Sequence, residues 1–376
     1  MNIGIVCYPT FGGSGAIATQ LGKHLALHGH KVHLISYNLP FKLNRFNENI
    51  IYHEVEWYEY PLFEYQPYES ALTSKIVNVA LYEALDILHV HYAIPHASAA
   101  YMAKQILKSK KIHLPYITSL HGTDITLVGK DPSFEPIIRF SLNNSDAITA
   151  VSKSLKKETL QTFKIDNAIE VIYNFIDFEQ IQHIQKNTTC CLSSKSKNEK
   201  ILMHISNFRK IKRVDDVVKV FALVQKKIPS KLVLVGDGPE KPYIERLVRN
   251  LNLQKNVIFT GSIAEPLELL TCADLFLLPS ESESFGLACL EAMAMGVPVI
   301  SSNSGGITEV NIHGKTGYTC PVGDIQSMSK YAISLLENEK KWVLFKRHAT
   351  ETAKKFDVKN ILPKYLDLYN KVNKKG

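Results

Sequence analysis

The chain has 376 residues, 45% hydrophobic and 21% charged, which describes a globular protein long enough for two domains with separate cores and excludes a disordered or fibrous chain. Lysine and arginine number 44 against 36 acidic residues, and the net charge of +8 is compatible with nucleic acid, a membrane surface or small anions; no RNP-like, zinc-finger or basic-zipper pattern accompanies it, so nucleic acid is set aside. No run approaches the roughly 18 apolar residues of a spanning helix, and MNIGIVCYP enters a strand with no leader pattern, so the expectation is a cytoplasmic chain without stable membrane insertion.

Residues 2–8 (NIGIVCY) read as a buried strand, followed by the turn Pro9, Thr10, Phe11, Gly12, Gly13, Ser14, Gly15 and a helix that Gly29 ends. This is the first βα turn of a doubly wound sheet. Its spacing is GGSG rather than GxGxxG, and no acid closes the second strand at 32–37, so a dinucleotide cofactor is rejected. A glycine loop still brings backbone N–H groups close to an anionic ligand, with a ligand-free tight turn as the alternative. Residues 38–66 are aromatic and acidic with weak periodicity and yield no assignment beyond strands and loops. Residues 86–92 (DILHVHY) form a strand with His89 and His91 on one face, leading through Pro95 and His96 into a helix. No matching Cys or carboxylate spacing accompanies them, so they read as hydrogen-bonded histidines rather than metal ligands. Residues 116–120 are another strand, ending in the polar turn His121, Gly122, Thr123, Asp124 at a carboxyl end where open α/β sheets gather ligands. Segments 146–152 and 170–177 complete the first half.

From 184 to 200 the chain turns polar and irregular, which marks a linker. Residues 201–206 are a strand, and the basic loop Arg209, Lys210, Ile211, Lys212, Arg213 puts four cations in five residues before a helix at 214–227. The strands at 231–235 and 256–260 are followed by Gly236-Asp237-Gly238-Pro239 and by Gly261. Residues 273–301 then read as strand, acidic loop, helix and strand: 275–278 is unbroken apolar, Glu281 to Ser284 is the loop, and a helix spans about 285–295 before Gly296 and Pro298. Glu291 is the one charge of that helix and must find partners, because an unpaired carboxylate in apolar surroundings costs several kcal/mol. Of six cysteines (Cys7, Cys190, Cys191, Cys272, Cys289, Cys320) none has CxxC spacing and none reads as catalytic; Cys190 and Cys191 read as an incidental pair in a polar loop.

The pair Glu283 and Glu291, spaced E-x7-E around SFG between a strand and GVPVI, resembles the donor-site signature of the retaining family 4 glycosyltransferases. Nearly the whole chain resembles that family, which implies an α/β protein of the GT-B class, two Rossmann-like doubly wound domains facing an interdomain cleft. The implied division is an acceptor-binding domain at 1–177, a linker at 178–200, a nucleotide-sugar domain at 201–357, and a C-terminal helix at 358–376 crossing back to the first domain. Within the family, CYPTFGGSG (7–15), HVHYAIPHA (89–97), SLHGTDIT (119–126), VSKSL (151–155), IYNFID (172–177) and SNFRKIKR (206–213) resemble the branch that opens bacillithiol biosynthesis. The resemblance implies UDP-N-acetylglucosamine as donor, L-malate as acceptor, retention at the anomeric carbon, no metal ion and no cofactor.

Family roles carry over onto the matching positions. Glu291 would hold the ribose hydroxyls, Glu283 the sugar, Arg209 and Lys212 the diphosphate, and the N–H groups of Gly286 and Leu287 the distal phosphate, with Gly261, Ser284 and Phe285 also on the donor side. His121 would sit beside the sugar and joins Glu283, Arg209 and Lys212 in the catalytic set. Gly12, Gly13, Ser14 and Gly15 would face the acceptor with Tyr92, Ser119 and Thr123. Many members carry the diphosphate arginine five residues before the lysine, where this chain has Asn207, so Arg209 would reach from a shifted position. A family 4 enzyme acting on a lipid or polysaccharide would want an apolar or basic amphipathic surface in the first domain, and no such helix stands out. An epimerase or hydrolase on the same fold is opposed by SFG and HGTD, and a non-enzymatic sugar-nucleotide binder would not need paired donor and acceptor features. The oligomeric state, a homo-oligomer included, is left open.

Overall fold

The computed structural model describes every residue except 11–12, 42, 44–46, 58–65, 128–130, 189–198, 264 and 375–376. The chain divides into two compact units, Met1–Asn174 with Lys359–Gly376, and Phe175–Val358, each built on a parallel sheet.

In the first unit the strands are β1 (Asn2–Val6), β2 (Lys31–Ser36), β3 (Ile50–Glu54), β4 (Ile87–His91), β5 (Tyr116–Leu120), β6 (Ala147–Ala150) and β7 (Ile169–Val171), in the order β3-β2-β1-β4-β5-β6-β7. β4 and β5 are buried along their whole length, which is why they read as continuous runs. β3 is the edge strand, half-exposed along IIYHE, and that mixed character hid it within 38–66. One face of the sheet (Val6, Ile35, Leu88, Val90) is covered by helices Tyr68–Glu83 and Ser98–Ser109. The C-terminal helix Val358–Asn373 also packs here, its Tyr369 hydroxyl 2.7 Å from His89 Nδ1. The strand order reverses between β1 and β4, so the loops that leave these two strands open side by side at the carboxyl edge.

The second unit repeats the plan with β8 (Lys200–Ile205), β9 (Ser230–Val235), β10 (Val257–Gly261), β11 (Leu275–Leu278), β12 (Val299–Ser302) and β13 (Gly317–Cys320), ordered β10-β9-β8-β11-β12-β13. Its core includes Phe208, Val217, Phe221, Leu232, Leu277, Ile300 and Leu335. The reversal lies between β8 and β11, whose outgoing loops are the basic loop and the acidic loop. The linker expected over 178–200 is partly helical: Phe178–Asn187 forms a helix whose N-cap Asp177 accepts from Gln180 N at 3.0 Å, burying Phe178, Ile181 and Ile184. Three apolar residues at helical spacing outweigh a polar composition. Cys190 and Cys191 lie outside the described residues. Cys7, Cys289 and Cys320 are buried free thiols, and burial pushes Cys7 up to about 12 and Cys320 to about 11. Among the described residues no helix is long and apolar enough to cross a membrane.

Candidate active site

In the second unit the site grows from the two loops at the β8/β11 reversal. Phe208, fully buried, anchors the basic loop: its N–H donates to Asp237 O and its carbonyl accepts from Glu240 N, each at 2.9 Å. A short 3₁₀ turn, Lys210–Lys212, then sorts the cations. Arg213 closes on Asp216 at 2.5 Å and serves the fold. Lys212 turns inward, its Nζ 2.7 Å from Glu283 Oε1. Arg209 and Lys210 stay exposed, and among the described residues no ion pair engages either one.

Glu283 is held from three sides. Its Oε1 also accepts from Ser280 Oγ at 2.8 Å, and Ser280 is itself buried and held through its carbonyl by Ser302 Oγ. Its carbonyl accepts from Gly306 N at 2.7 Å, and a Cβ on Gly305 would stand 2.3 Å from that oxygen, so the Gly-Gly turn is obligatory there. Glu281 N donates to Ile211 O at 2.8 Å, which ties the two loops together. The following helix, Leu287–Ala294, starts two residues later than the sequence suggests because Gly286, at φ 89°, is its N-cap; no side chain caps it. Ser284 and Glu291 are half-buried, so Glu291 is less enclosed than its apolar neighbours imply. Phe285 is buried with its ring edge-on to Phe356, and Gly261 closes β10 with its carbonyl accepting from Gly236 N at 2.9 Å. Arg209, Lys212, Glu283, Ser284 and Gly286 therefore share the carboxyl edge of one reversal.

Sequence reasoning missed His204. It is buried in β8 and bridges Leu277 O (2.8 Å) and Ser206 Oγ (2.7 Å), joining β8 to β11. Burial first, with the Lys212 charge adding to it, pushes its imidazole down to about 4, so it is neutral at pH 7. The signal was a polar residue in an apolar strand.

In the first unit Gly12 lies outside the described residues. Gly15 is required by packing, since a Cβ would meet Tyr8 O at 2.3 Å. Gly13 is exposed at φ +62° with open space around its Cβ position, so conformation rather than crowding selects glycine there. Ser14 opens the helix Ser14–Leu27 and donates from Oγ to the Tyr92 hydroxyl at 2.9 Å. The Tyr92 ring leans on Tyr8 (5.4 Å) and His121 (5.6 Å). Thr123 is exposed. Ser119 departs from expectation: it is buried, with Oγ engaged by His89 Nε2 at 2.7 Å and by Thr149 Oγ1, so it supports the layer above rather than facing a ligand. His121, half-buried, meets His91 Nδ1 through Nε2 at 2.7 Å, and His91 stacks on His89 at 4.5 Å. Burial pushes His89 and His121 down to about 3, so both are neutral at pH 7; His91 and His121 share a hydrogen bond, while His89 and His91 only stack. Asp124, given no role from sequence, accepts from Ala93 N (2.9 Å) and Gly122 N (3.0 Å) and so ties the β4 loop to the β5 loop. Burial raises its carboxyl to about 6 against the pull of those N–H groups.

Residues 11–180 match the family described as Glycosyltransferase Family 4, and residues 193–355 match Glycosyl transferases group 1. The N-acetyl-alpha-D-glucosaminyl L-malate synthase of Bacillus anthracis is 48% identical over 372 residues, covering 98% of this chain and 96% of that protein. Among solved structures, a sucrose-phosphate synthase from Thermosynechococcus elongatus superposes with a TM-score of 0.80 at 19% identity over 100% of both chains. Anabaena HepE in complex with UDP and glucose gives 0.78 at 19% identity, covering 98% of this chain and 99% of that one. At these identities the structures speak for the fold, the two Rossmann-like sheets of the GT-B class.

Proposed function

The chain belongs to the family 4 glycosyltransferases, and from that premise we propose that it moves N-acetylglucosamine from UDP-N-acetylglucosamine to the hydroxyl of L-malate with retention at the anomeric carbon, the step expected to open bacillithiol biosynthesis. The observation that carries the reading is the 48% identity, over 98% of this chain, to a protein named for making N-acetylglucosaminyl L-malate.

On this reading the bond between the anomeric carbon and the diphosphate oxygen breaks while the malate hydroxyl oxygen bonds to the same carbon on the same face. The hydroxyl proton passes to the departing phosphate oxygen. The protein's task is then to stabilise negative charge on the leaving UDP. Arg209, with no ion-pair partner among the described residues, and Lys212 supply cations, and the uncapped helix start at Gly286 and Leu287 supplies N–H groups. Glu283 positions the sugar, Glu291 takes the ribose hydroxyls, and Gly261, Ser284 and Phe285 complete the donor side through main chain or hydroxyl. His121 sits beside the sugar as a neutral donor whose orientation His91 fixes. Gly13, Ser14 and Gly15, at the start of a 14-residue helix, receive a malate carboxylate with Gly12, Tyr92 and Thr123, and Ser119 acts from behind.

Turnover is the test. UDP release with UDP-N-acetylglucosamine and L-malate should far exceed that with D-malate or lactate, because the site is asked to read two carboxylates and one configuration. Equal rates with lactate would withdraw the acceptor and leave the family reading alone.

A further inference from the structure

The first unit carries a second cluster of ligating side chains that the transfer reaction does not use. His33 in β2 and His53 in β3 lie on the sheet face that helix Tyr68–Glu83 covers, and Glu83 ends that helix. Ligand atoms of His33, His53 and Glu83 all lie within 4.8 Å of one another. The closest pair, His33 Nδ1 and His53 Nε2, is 2.9 Å apart with the rings stacked at 5.2 Å. The helix runs antiparallel to the strands, so its last residue sits near their amino ends; Asn2, the first residue of β1, donates from Nδ2 to the Glu83 carbonyl at 3.0 Å. In the strand register His33 is level with Gly4 and His53 with Val6, so the cluster lies across the outer strands β2 and β3, to the side of β4 and β5, whose outgoing loops carry Tyr92 and His121.

The three side chains are weakly committed to other partners. Among the described residues the ring-to-ring contact is the one hydrogen bond that either imidazole makes, so His33 Nδ1 and His53 Nε2 can both turn to an ion placed between them. Among the described residues the Glu83 carboxylate pairs with Lys31 alone, at 3.4 Å and with 44% of the lysine side chain exposed, a weak restraint that a competing cation can displace. Bonds of about 2.0–2.1 Å to a tetrahedral ion set donor atoms roughly 3.3 Å apart, so the two nitrogens need to part by only a few tenths of an ångström.

We propose that His33, His53 and Glu83 form a binding site for one divalent transition-metal ion of the zinc class, with two imidazoles and a carboxylate as ligands and a fourth position left to water. Two nitrogens and one carboxylate oxygen favour Zn²⁺, Co²⁺ or Ni²⁺ over Mg²⁺, which prefers oxygen and keeps its own water. The ion fastens the edge strand β3 to the helix behind it, and its role is to stabilise this unit rather than to act in sugar transfer.

The test is calorimetric titration of the chelator-treated full chain with ZnCl₂ and, separately, MgCl₂, paired with thermal melts. The wild type should take up Zn²⁺ at this site and melt higher with it, and show no response to Mg²⁺. His53→Ala and Glu83→Gln, both at half-buried positions where folding is expected to survive, should each bind that equivalent at least tenfold more weakly and lose the upward shift. Turnover with and without EDTA should be the same. No Zn²⁺ uptake by the wild type, or uptake and melting shifts unchanged in both variants, would overturn the site and return the pair to a histidine hydrogen bond.

Discussion

Lys212 and Arg209 look interchangeable in the sequence, two cations in one basic loop, and the structure separates them. Lys212 neutralises a carboxylate that is only 11% exposed, with Ser280 as the other side-chain partner, whereas Arg209 points to solvent. Lys212→Ala should therefore cost about 2–3 kcal/mol of stability as well as turnover, less than the ~3–5 of a fully buried pair because the lysine keeps 23% exposure. Arg209→Ala should stay within about 0.5 kcal/mol of wild type and lose turnover alone. Urea melts beside kcat measurements decide it; a Lys212→Ala variant as stable as wild type would make the pair a surface contact. At this scale the chemistry-bearing residue types were legible, since Glu283, Glu291 and the cations stand out by charge against apolar runs. Their supports were not: Ser280, Gly305 and His204 act through hydrogen bonds and close approaches to residues distant in the chain, which spacing cannot reveal.

At the scale of elements, the turn between β1 and the helix Ser14–Leu27 shows what a glycine motif can conceal. Gly15 is enclosed by Tyr8 and Thr10, while Gly13 has open space and a positive φ. Gly15→Ala should lower the melting temperature sharply, since backbone must move. Gly13→Ala pays only conformational strain, of order 1–3 kcal/mol, and should raise the KM for L-malate more than that for the sugar nucleotide. Steady-state kinetics with each substrate varied in turn will show it, and an unchanged malate KM would remove the turn from the acceptor site. The parallel strands were readable because burial on both faces gives unbroken apolar runs. β3 and the helix Phe178–Asn187 were not, the first because an edge strand alternates irregularly and the second because three buried residues were outnumbered by polar ones.

At the scale of the molecule, buried imidazoles distribute unequally. Burial depresses His89 and His121 to about 3 and His96 to about 4 in the first unit, against His204 at about 4 in the second. A depressed histidine binds its proton in the unfolded chain first, so its stabilising contribution is whole above 6.5 and is lost as pH falls from there towards 3–4. Asp124, raised to about 6, has the opposite sign: its protonated form suits the fold, and stability falls as pH rises from about 4 to 6. Burial holds His33 and His91 down as well, and this excess of depressed imidazoles over the one raised carboxyl leaves the first unit the more acid-sensitive. Hydrogen exchange at pH 5 should show its strands opening before those of the second unit; simultaneous opening would mean the imidazoles are solvated. Two doubly wound sheets were legible from the alternation of strand and helix, and the family from motifs such as the E-x7-E. The proposed acceptor has no comparable signature, because a small dicarboxylate would be read by backbone and hydroxyl groups that many turns possess. The decisive measurement is the product itself. Incubation of the protein with UDP-N-acetylglucosamine and L-malate, followed by mass spectrometry and proton NMR, should yield UDP and one malate glycoside with the small anomeric coupling of an α linkage. A β linkage, or N-acetylglucosamine released to water with malate untouched, would contradict the account.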